Sequence, residues 1–278
     1  MIKWWLKHSS LQILLTEQAV NISSSIHPTA IVDPTADLGS NISIGPYSII
    51  EANVFIGDNT TIGNHVSICE GTHIGQDCRI FHSSVIGEIP QDLKFGGEKT
   101  ETIIGDRTTI REYVTINKGT DALGKTEVGS DTLLMAYVHI AHDCIVGDNA
   151  ILANMATLGG HVVIGDWASL GGGVLVHQFT KIGAHAFIGG GFRAVQDVPP
   201  FILCAEEPLK FQGVNRIGLK RRGFSVEERN IIKNAYQIYF RSGLNRNDAL
   251  SKIETDISPS EYKNQIIDFI RSSERGII

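Results

Sequence analysis

From Ile26 to Ile188 every sixth residue is isoleucine, leucine or valine, except at Asp92, Glu98 and Ala122. A period of six fits neither a helix, at about 3.6, nor a flat strand, at about 2. It predicts a parallel β-helix, in which a short strand and a turn repeat along flat faces. Glycine often follows the aliphatic residue, as in Leu38-Gly39, Ile44-Gly45 and Ile164-Gly165. It is expected there because a corner suits a residue without a Cβ to restrict its backbone angles. Four places after the aliphatic residue stands something small or β-branched, such as Ser48, Thr60, Val66, Ala150 or Ala168. Each hexad thus has one large and one small inward position. Three hexads make a coil of about 18 residues, and coils stack at about 4.8 Å.

The pattern breaks near 88–102 and 119–127. Insertions into a solenoid become surface loops and often line its binding site. The first carries Gln91, Asp92, Lys94 and Lys99; the second is small and is expected to be flexible. The solenoid, 26–200, should end at Asp197-Val198-Pro199-Pro200, where the prolines remove backbone donors. Residues 201–278 read as a linker to Gly223 followed by helices. Ser225-Val226-Glu227-Glu228 is a capping box, with Ile231, Ile232, Ala235, Ile238 and Tyr239 on one helix face and Gly243 as its stop. A second helix is expected from about Asn247 to Glu254. Ser258 to Glu261 should open a third, with Tyr262, Ile266, Phe269 and Ile270 facing inward. The fold class is an all-β solenoid with a C-terminal α-helical domain.

Ahead of the first hexad, residues 1–25 place Lys3 and Lys7 before a short apolar run, Leu11 to Leu15. That run is too short and interrupted for a signal sequence, so it reads as an amphipathic appendage or a start assigned too early. No stretch approaches a membrane span. The formal net charge of −6 argues against a nucleic-acid partner. Of four cysteines, Cys78 and Cys144 hold the small inward position, and Cys69 and Cys204 show no paired spacing. With no disulfide framework or Cys-rich zinc motif, a reducing, cytoplasmic setting is expected.

Four histidines fall in the most regular half: His139, His142, His161 and His177. One coil beyond His142 lies Gly160, beside His161; one further lies Gln178, beside His177. These histidines should therefore share one edge of the prism. Three readings stay open: solvated side chains, a zinc site like that of a β-helical carbonic anhydrase, or general-base chemistry with Asp143 orienting His142. No acidic ligand pattern or cysteine pair favours a metal, which tips the reading toward acid–base work.

Six blocks in order carry a resemblance: His139-Ile140-Ala141-His142-Asp143-Cys144, Gly159-Gly160-His161-Val162, Val176-His177-Gln178-Phe179, Gln196 to Pro200, Ile86-Gly87-Glu88 with Pro90 to Lys94, and Gly213-Val214-Asn215 with Gly218 to Ser225. Over about residues 26–278 the chain resembles the UDP-N-acetylglucosamine O-acyltransferases of lipid A biosynthesis. The resemblance implies a left-handed coil, a homotrimer and active sites between adjacent subunits. It implies transfer of an (R)-3-hydroxyacyl chain from acyl carrier protein to the sugar 3-hydroxyl, with no cofactor beyond the carrier's phosphopantetheine and no metal. His142 becomes the general base, supported by Asp143. The N–H of Gly160 becomes the oxyanion donor, a role any residue but proline could fill. His139, His161, His177 and Gln178 would contact the sugar nucleotide or acyl chain, and Gln91, Asp92 and Lys94 would reach in from a neighbouring subunit. Asn215, Arg221 and Arg222 would hold the nucleotide or the phosphopantetheine, and a basic cluster with Lys220 and Arg216 could face the acidic carrier. Side chains near Gly172 and Gly190 would set acyl length, with Phe192 able to intrude.

The chain departs from the family at Ile217, where an acidic residue can stand near the nucleotide, and in residues before Ile26. Neighbouring functions are a related acyltransferase acting on a 3-amino UDP-sugar, the later N-acyltransferase, a CoA-dependent acetyltransferase and a non-catalytic scaffold. The N-acyltransferase would carry a uridine-binding domain before the first hexad. A scaffold leaves the histidine edge unexplained.

Overall fold

A computed structural model describes residues 24–278; the appendage read from Lys3, Lys7 and Leu11 to Leu15 lies outside them. Two-residue strands recur at the hexad spacing from Ser25–Ile26 to Arg193–Ala194, lengthening to three or four residues around the insertions. The second residue of a short strand is the sixth-position aliphatic. It pairs in parallel with its counterpart one coil on, as Ile44 with Ile62, Leu134 with Leu152 and Ile164 with Ile182. Three sheets of eleven, nine and eight strands form the faces of a prism. Face one includes Ile151–Leu152, face two His139–Ile140 and Thr157–Leu158, and face three Ile145–Val146 and Val163–Ile164.

Both inward positions are filled as the pattern requires. From Ile44 on, the aliphatic series, including Ile56, Ile68, Leu134 and Ile140, is buried, and so are Ser48, Thr60, Val66, Ala150 and Ala168. Inward hydroxyls bond to glycine carbonyls of the next coil: Ser48 Oγ to Gly63 O at 2.8 Å and Thr60 Oγ1 to Gly75 O at 2.9 Å. Cys144 Sγ uses the same slot, 3.1 Å from Gly159 O. Burial pushes the Cys78 thiol up to about 11 and that of Cys144 up to about 12, so both are inert core filling.

The corner glycines have a different purpose from the one expected. Left-handed backbone occurs three places after the aliphatic residue, at Asn41, Tyr47, Asn149 and Trp167, with φ of 58°, 60°, 58° and 61°. The glycine directly after the aliphatic residue is needed for room. A Cβ on Gly45 would lie 2.7 Å from the carbonyl carbon of Gly63, and one on Gly165 2.5 Å from the nitrogen of Ala184. Neighbouring coils touch backbone to backbone there.

Both insertions preserve the phase. Ile86 pairs with Ile116, thirty residues on, and Ile116 with Ile140, twenty-four on. Twelve and six extra residues are whole hexads, so the count resumes in step. Beyond the solenoid, the expected linker is structured. Ile202–Ala205 extends face one beside Phe187–Ile188 and turns back as an antiparallel hairpin with Lys210–Val214. Helix α1, Arg216–Arg221, follows, with Asn215 as its cap. Then come α2, Val226–Arg241, α3, Arg246–Asp256, and α4, Glu261–Arg271. The Ser225–Glu228 capping box forms on α2, and Ile232, Ala235, Ile266 and Ile270 are buried. Buried Tyr236 on α2 donates its hydroxyl to Pro200 O at 2.6 Å, and buried Asp197 accepts from Ser273 Oγ at 2.7 Å. These bonds seat the helical domain on the C-terminal end of the solenoid, as repeat arrays need their ends covered.

Candidate active site

The edge between faces two and three carries the histidines. Leaving Ile140, the chain turns through Ala141, His142 and Asp143 before Ile145–Val146. One coil on, Gly160 and His161 occupy the same corner, and Gln178 and Phe179 the next. Asp143, His161 and Phe179 are the left-handed residues of their corners, with φ of 57°, 61° and 64°. That conformation stacks their side chains outward. The His161 and Phe179 rings lie parallel at 4.4 Å, and the rings of His142 and His161 meet edge to face at 5.1 Å.

Asp143 is the centre of the cluster and is 2% exposed. Its Oδ1 accepts from Thr120 N at 2.9 Å, and its Oδ2 accepts from Thr120 Oγ1 at 2.6 Å and from His142 Nδ1 at 2.8 Å. His161 Nε2 lies 3.6 Å from the same Oδ2. Burial works to raise the carboxyl's pKa, but the bonds from Thr120 and His142 and the nearby His161 outweigh it, so Asp143 is held below the usual carboxylate range. An ionised carboxylate only accepts, so Nδ1 of His142 carries a proton, and in the neutral ring the lone pair is then on Nε2. The backbone of Asp143 is fixed as well, its N–H donating to Thr126 Oγ1 at 2.8 Å.

Gly160 lies under the imidazole. A Cβ at this position would stand 2.6 Å from Cε1 and 2.7 Å from Nε2 of His142. The expectation that any residue but proline would serve here is therefore corrected: the ring occupies the side chain's place. The carbonyl of Gly160 accepts from Phe179 N at 3.0 Å, while its N–H has no acceptor among the described residues. On the edge between faces three and one, the equivalent N–H groups of Ser130 and Asp148 are capped by aspartates of the next coil. A glutamine, Gln178, stands at the equivalent place here.

His139 faces outward on the adjoining strand, its Nδ1 2.8 Å from Thr115 Oγ1, and burial lowers its pKa. His177 and Gln178 are exposed, with His177 Nδ1 3.1 Å from the Gln178 carbonyl. Among the described residues, His142, Asp143 and His161 form a trio whose ligand-capable atoms lie within 4.8 Å of one another. Within the trio, His142 Nδ1 and Asp143 Oδ2 share a hydrogen bond at 2.8 Å.

The first insertion leaves this same edge, between Val85–Glu88 of face two and Glu101–Ile104 of face three, one coil before the second insertion; the other candidates sit away from the edge within one chain. Gln91 and Lys94 are exposed in the first insertion, and Asp92 Oδ1 accepts from Lys94 N at 3.0 Å. The amide of Asn215 donates to His185 O at 2.9 Å and accepts from Gly218 N at 3.1 Å, so this side chain caps α1. Arg221 is exposed on α1 beside Arg216, Ile217, Lys220 and Arg229, which line an open groove. Arg222 is half-buried over Trp167, 5.1 Å from its ring, with Nη1 3.3 Å from His185 Nδ1. Trp167 and His185 belong to the edge between faces three and one. Gly172 and Gly190 stack on the remaining edge, where a Cβ on Gly190 would be 3.0 Å from Gly172 O. Phe192 holds the small inward position of its hexad, and its ring packs over Gly189, half-buried against the core.

A family model described as UDP N-acetylglucosamine O-acyltransferase, domain 2, matches residues 197–278, and one described as bacterial transferase hexapeptide (six repeats) matches 125–160. A relative from Thiobacillus denitrificans named acyl-[acyl-carrier-protein]–UDP-N-acetylglucosamine O-acyltransferase is 46% identical over 256 residues, covering 92% of this chain and 99% of its own. One of the same name from Janthinobacterium is 49% identical over 260 residues, with the same coverage. The chain belongs to the UDP-N-acetylglucosamine O-acyltransferase family. The solved UDP-N-acetylglucosamine acyltransferase from Bacteroides fragilis superposes with a TM-score of 0.90 at 47% identity, covering 91% of this chain and 99% of that one. The Acinetobacter baumannii structure gives 0.88 at 42%, with the same coverage. The family's left-handed β-helix is the fold of this chain. Periodicity alone did not give the hand, since right-handed crossovers are the general rule.

Thr120 and Thr126 were missed in the sequence because both lie in the stretch where the hexad count fails. The second insertion is not the loose loop expected. Gly119 O accepts from Thr100 Oγ1 at 2.6 Å, and Thr120 is bonded twice to Asp143. Phe179 carried a fainter signal: it stands one coil beyond His161.

Proposed function

We propose that this acyltransferase moves an (R)-3-hydroxyacyl chain from acyl carrier protein to the 3-hydroxyl of UDP-N-acetylglucosamine, the first step of lipid A biosynthesis, with His142 as general base. The observation that carries the reading is the chain Thr120–Asp143–His142, which leaves Nε2 bare beside the unpaired N–H of Gly160. Nε2 takes the proton of the sugar hydroxyl as its oxygen attacks the thioester carbonyl carbon. The charge that develops on the carbonyl oxygen is met by the Gly160 N–H. Collapse of the tetrahedral intermediate breaks the C–S bond, and the imidazolium returns its proton to the departing thiolate. Asp143 stays ionised throughout and stabilises the charged ring. The steps balance without an oxidant, a metal or a further cofactor.

The open groove of Arg216, Lys220, Arg221 and Arg229 fits the phosphates of the nucleotide or of the carrier's phosphopantetheine, and an acidic carrier surface. Because this groove and the Gly172–Gly190 edge lie away from His142 in one chain, the reading requires neighbouring subunits to complete each site, in a homotrimer, with the Gln91–Lys94 loop reaching across from the histidine edge of its own chain. It keeps the cytoplasmic setting expected from four unpaired cysteines, all of them buried. Among the described residues no helix is long and apolar enough to cross a membrane. The test is mass spectrometry of the product from a panel of acyl carrier protein donors. A 3-O-hydroxyacyl UDP-N-acetylglucosamine is expected. Transfer only to a 3-amino UDP-sugar, or no acyl product from any donor, would overturn the acceptor or the reaction.

A further inference from the structure

Thr120 is bound to Asp143 more closely than a loop residue needs to be. The second insertion carries it beneath the histidine edge, and the anchors of that loop are firm. Gly119 N donates to Glu101 O at 3.2 Å, Gly124 N donates to Thr120 O at 2.7 Å, and Thr100 Oγ1 donates to Gly119 O at 2.6 Å. Gly119 is buried where a Cβ would collide with the backbone of Lys125, so the loop closes tightly on itself. The hydroxyl's polarity is also fixed. Thr120 Oγ1 accepts from Ala122 N at 3.2 Å, and its single proton points to Asp143 Oδ2 at 2.6 Å. With Thr120 N on Oδ1, both carboxylate oxygens are held by one residue. A carboxylate pinned at both oxygens cannot rotate away from His142 Nδ1.

We propose that Thr120 is a positioning residue for the reaction, the third member of a Thr120–Asp143–His142 relay that aims Nε2 and fixes its tautomer. This rests on the reading of His142 as general base. It also gives the second insertion a purpose: the six added residues deliver a hydrogen-bond donor that no residue of an uninterrupted coil supplies at that corner.

The experiment is a double-mutant cycle on the full-length enzyme, with kcat and KM measured for each form. Thr120→Val removes the hydroxyl donor and keeps the backbone N–H and the side-chain volume. One hydrogen bond to a charged group corresponds to about tenfold to a hundredfold in kcat, with KM for the sugar nucleotide nearly unchanged. Thr120→Ser, which keeps the hydroxyl, should recover most of that loss. In an Asp143→Ala background the Thr120→Val change should cost less than about threefold, because its only route to the imidazole is gone. Thermal unfolding of all four forms shows whether any loss is one of folding. An equal loss from Thr120→Val with and without Asp143 overturns the relay, since the loop would then act by itself. Full activity of Thr120→Val overturns it too. His142→Ala, run in parallel, separates the two ideas: if it stays active, the general-base reading falls, whereas an inactive His142→Ala beside a fully active Thr120→Val removes Thr120 alone.

Discussion

At the scale of single side chains, the imidazole of His142 fills the space that a side chain at 160 would take, and Asp143 is the group that holds it there. Gly160→Ala should displace the ring, and a shift of about 1 Å in a catalytic group can cost about a hundredfold in rate. Circular dichroism should show the fold intact while kcat/KM falls; an unchanged rate would mean that the ring has another resting place. Asp143 also links stability to pH. Its folded pKa lies below the unfolded value of about 3.9, so its ionised form contributes stability that is complete above that pH and is lost as pH falls through the folded value. Asp143→Asn should therefore lower the urea midpoint at pH 7, and its gap to the parent should narrow below about pH 4. A gap independent of pH would show that the carboxylate's charge is not what stabilises. The cluster of His142, Asp143 and His161 has the donor types of a zinc site, and the proposed reaction uses it for proton transfer instead. Activity should survive exhaustive chelation. Stoichiometric zinc whose removal abolishes turnover would reverse that assignment.

Among the elements, the hexad has two special positions with opposite demands. The glycine after the aliphatic residue is required by contact with the next coil, and the residue two further on is required to be left-handed. Gly165→Ala should cost about 1–3 kcal/mol, the usual penalty for overpacking. Asn149→Gly, at a φ of 58°, should stay within about 1 kcal/mol, because relief of left-handed strain offsets the added freedom of the unfolded chain. Equal costs in chemical denaturation would deny the distinction. The node that holds α1 has its own pH signature. Burial and the neighbouring Arg222 lower His185 to about 4, against about 6.5 for a free histidine, so the unfolded chain takes up the proton first. Stability should fall between about pH 6.5 and pH 4, and His185→Gln should flatten that part of the Tm profile. The strands, the inward residues and three long helices were legible because a fixed period and a capping box are local signals. The hairpin of Ile202–Ala205 with Lys210–Val214 and the short α1 were not, because neither is long enough to show a period. Thr120 was invisible for a related reason: its importance comes from a partner 23 residues away.

For the whole molecule, the histidines share one edge, the Gly172–Gly190 stack lies on a second, and the node of Arg222 with Trp167 and His185 lies at a third. If subunits assemble so that these edges meet, acyl length should be read at the glycine edge. Gly190→Met should shift kcat/KM toward short 3-hydroxyacyl donors, each excluded methylene being worth about 0.8 kcal/mol. An unchanged ratio of long to short donors would acquit Gly190. Phe192 is a poorer candidate than its sequence position implied, because its ring turns inward over Gly189. The single chain places an imidazole, the carboxylate bonded to it and one unpaired N–H together, and the proposed chemistry stands or falls with His142. The decisive measurement is the turnover of His142→Ala with its oligomeric state checked by light scattering. Loss of about 10²–10⁴ in kcat with the assembly unchanged is expected for a missing general base; turnover near that of the parent would contradict it.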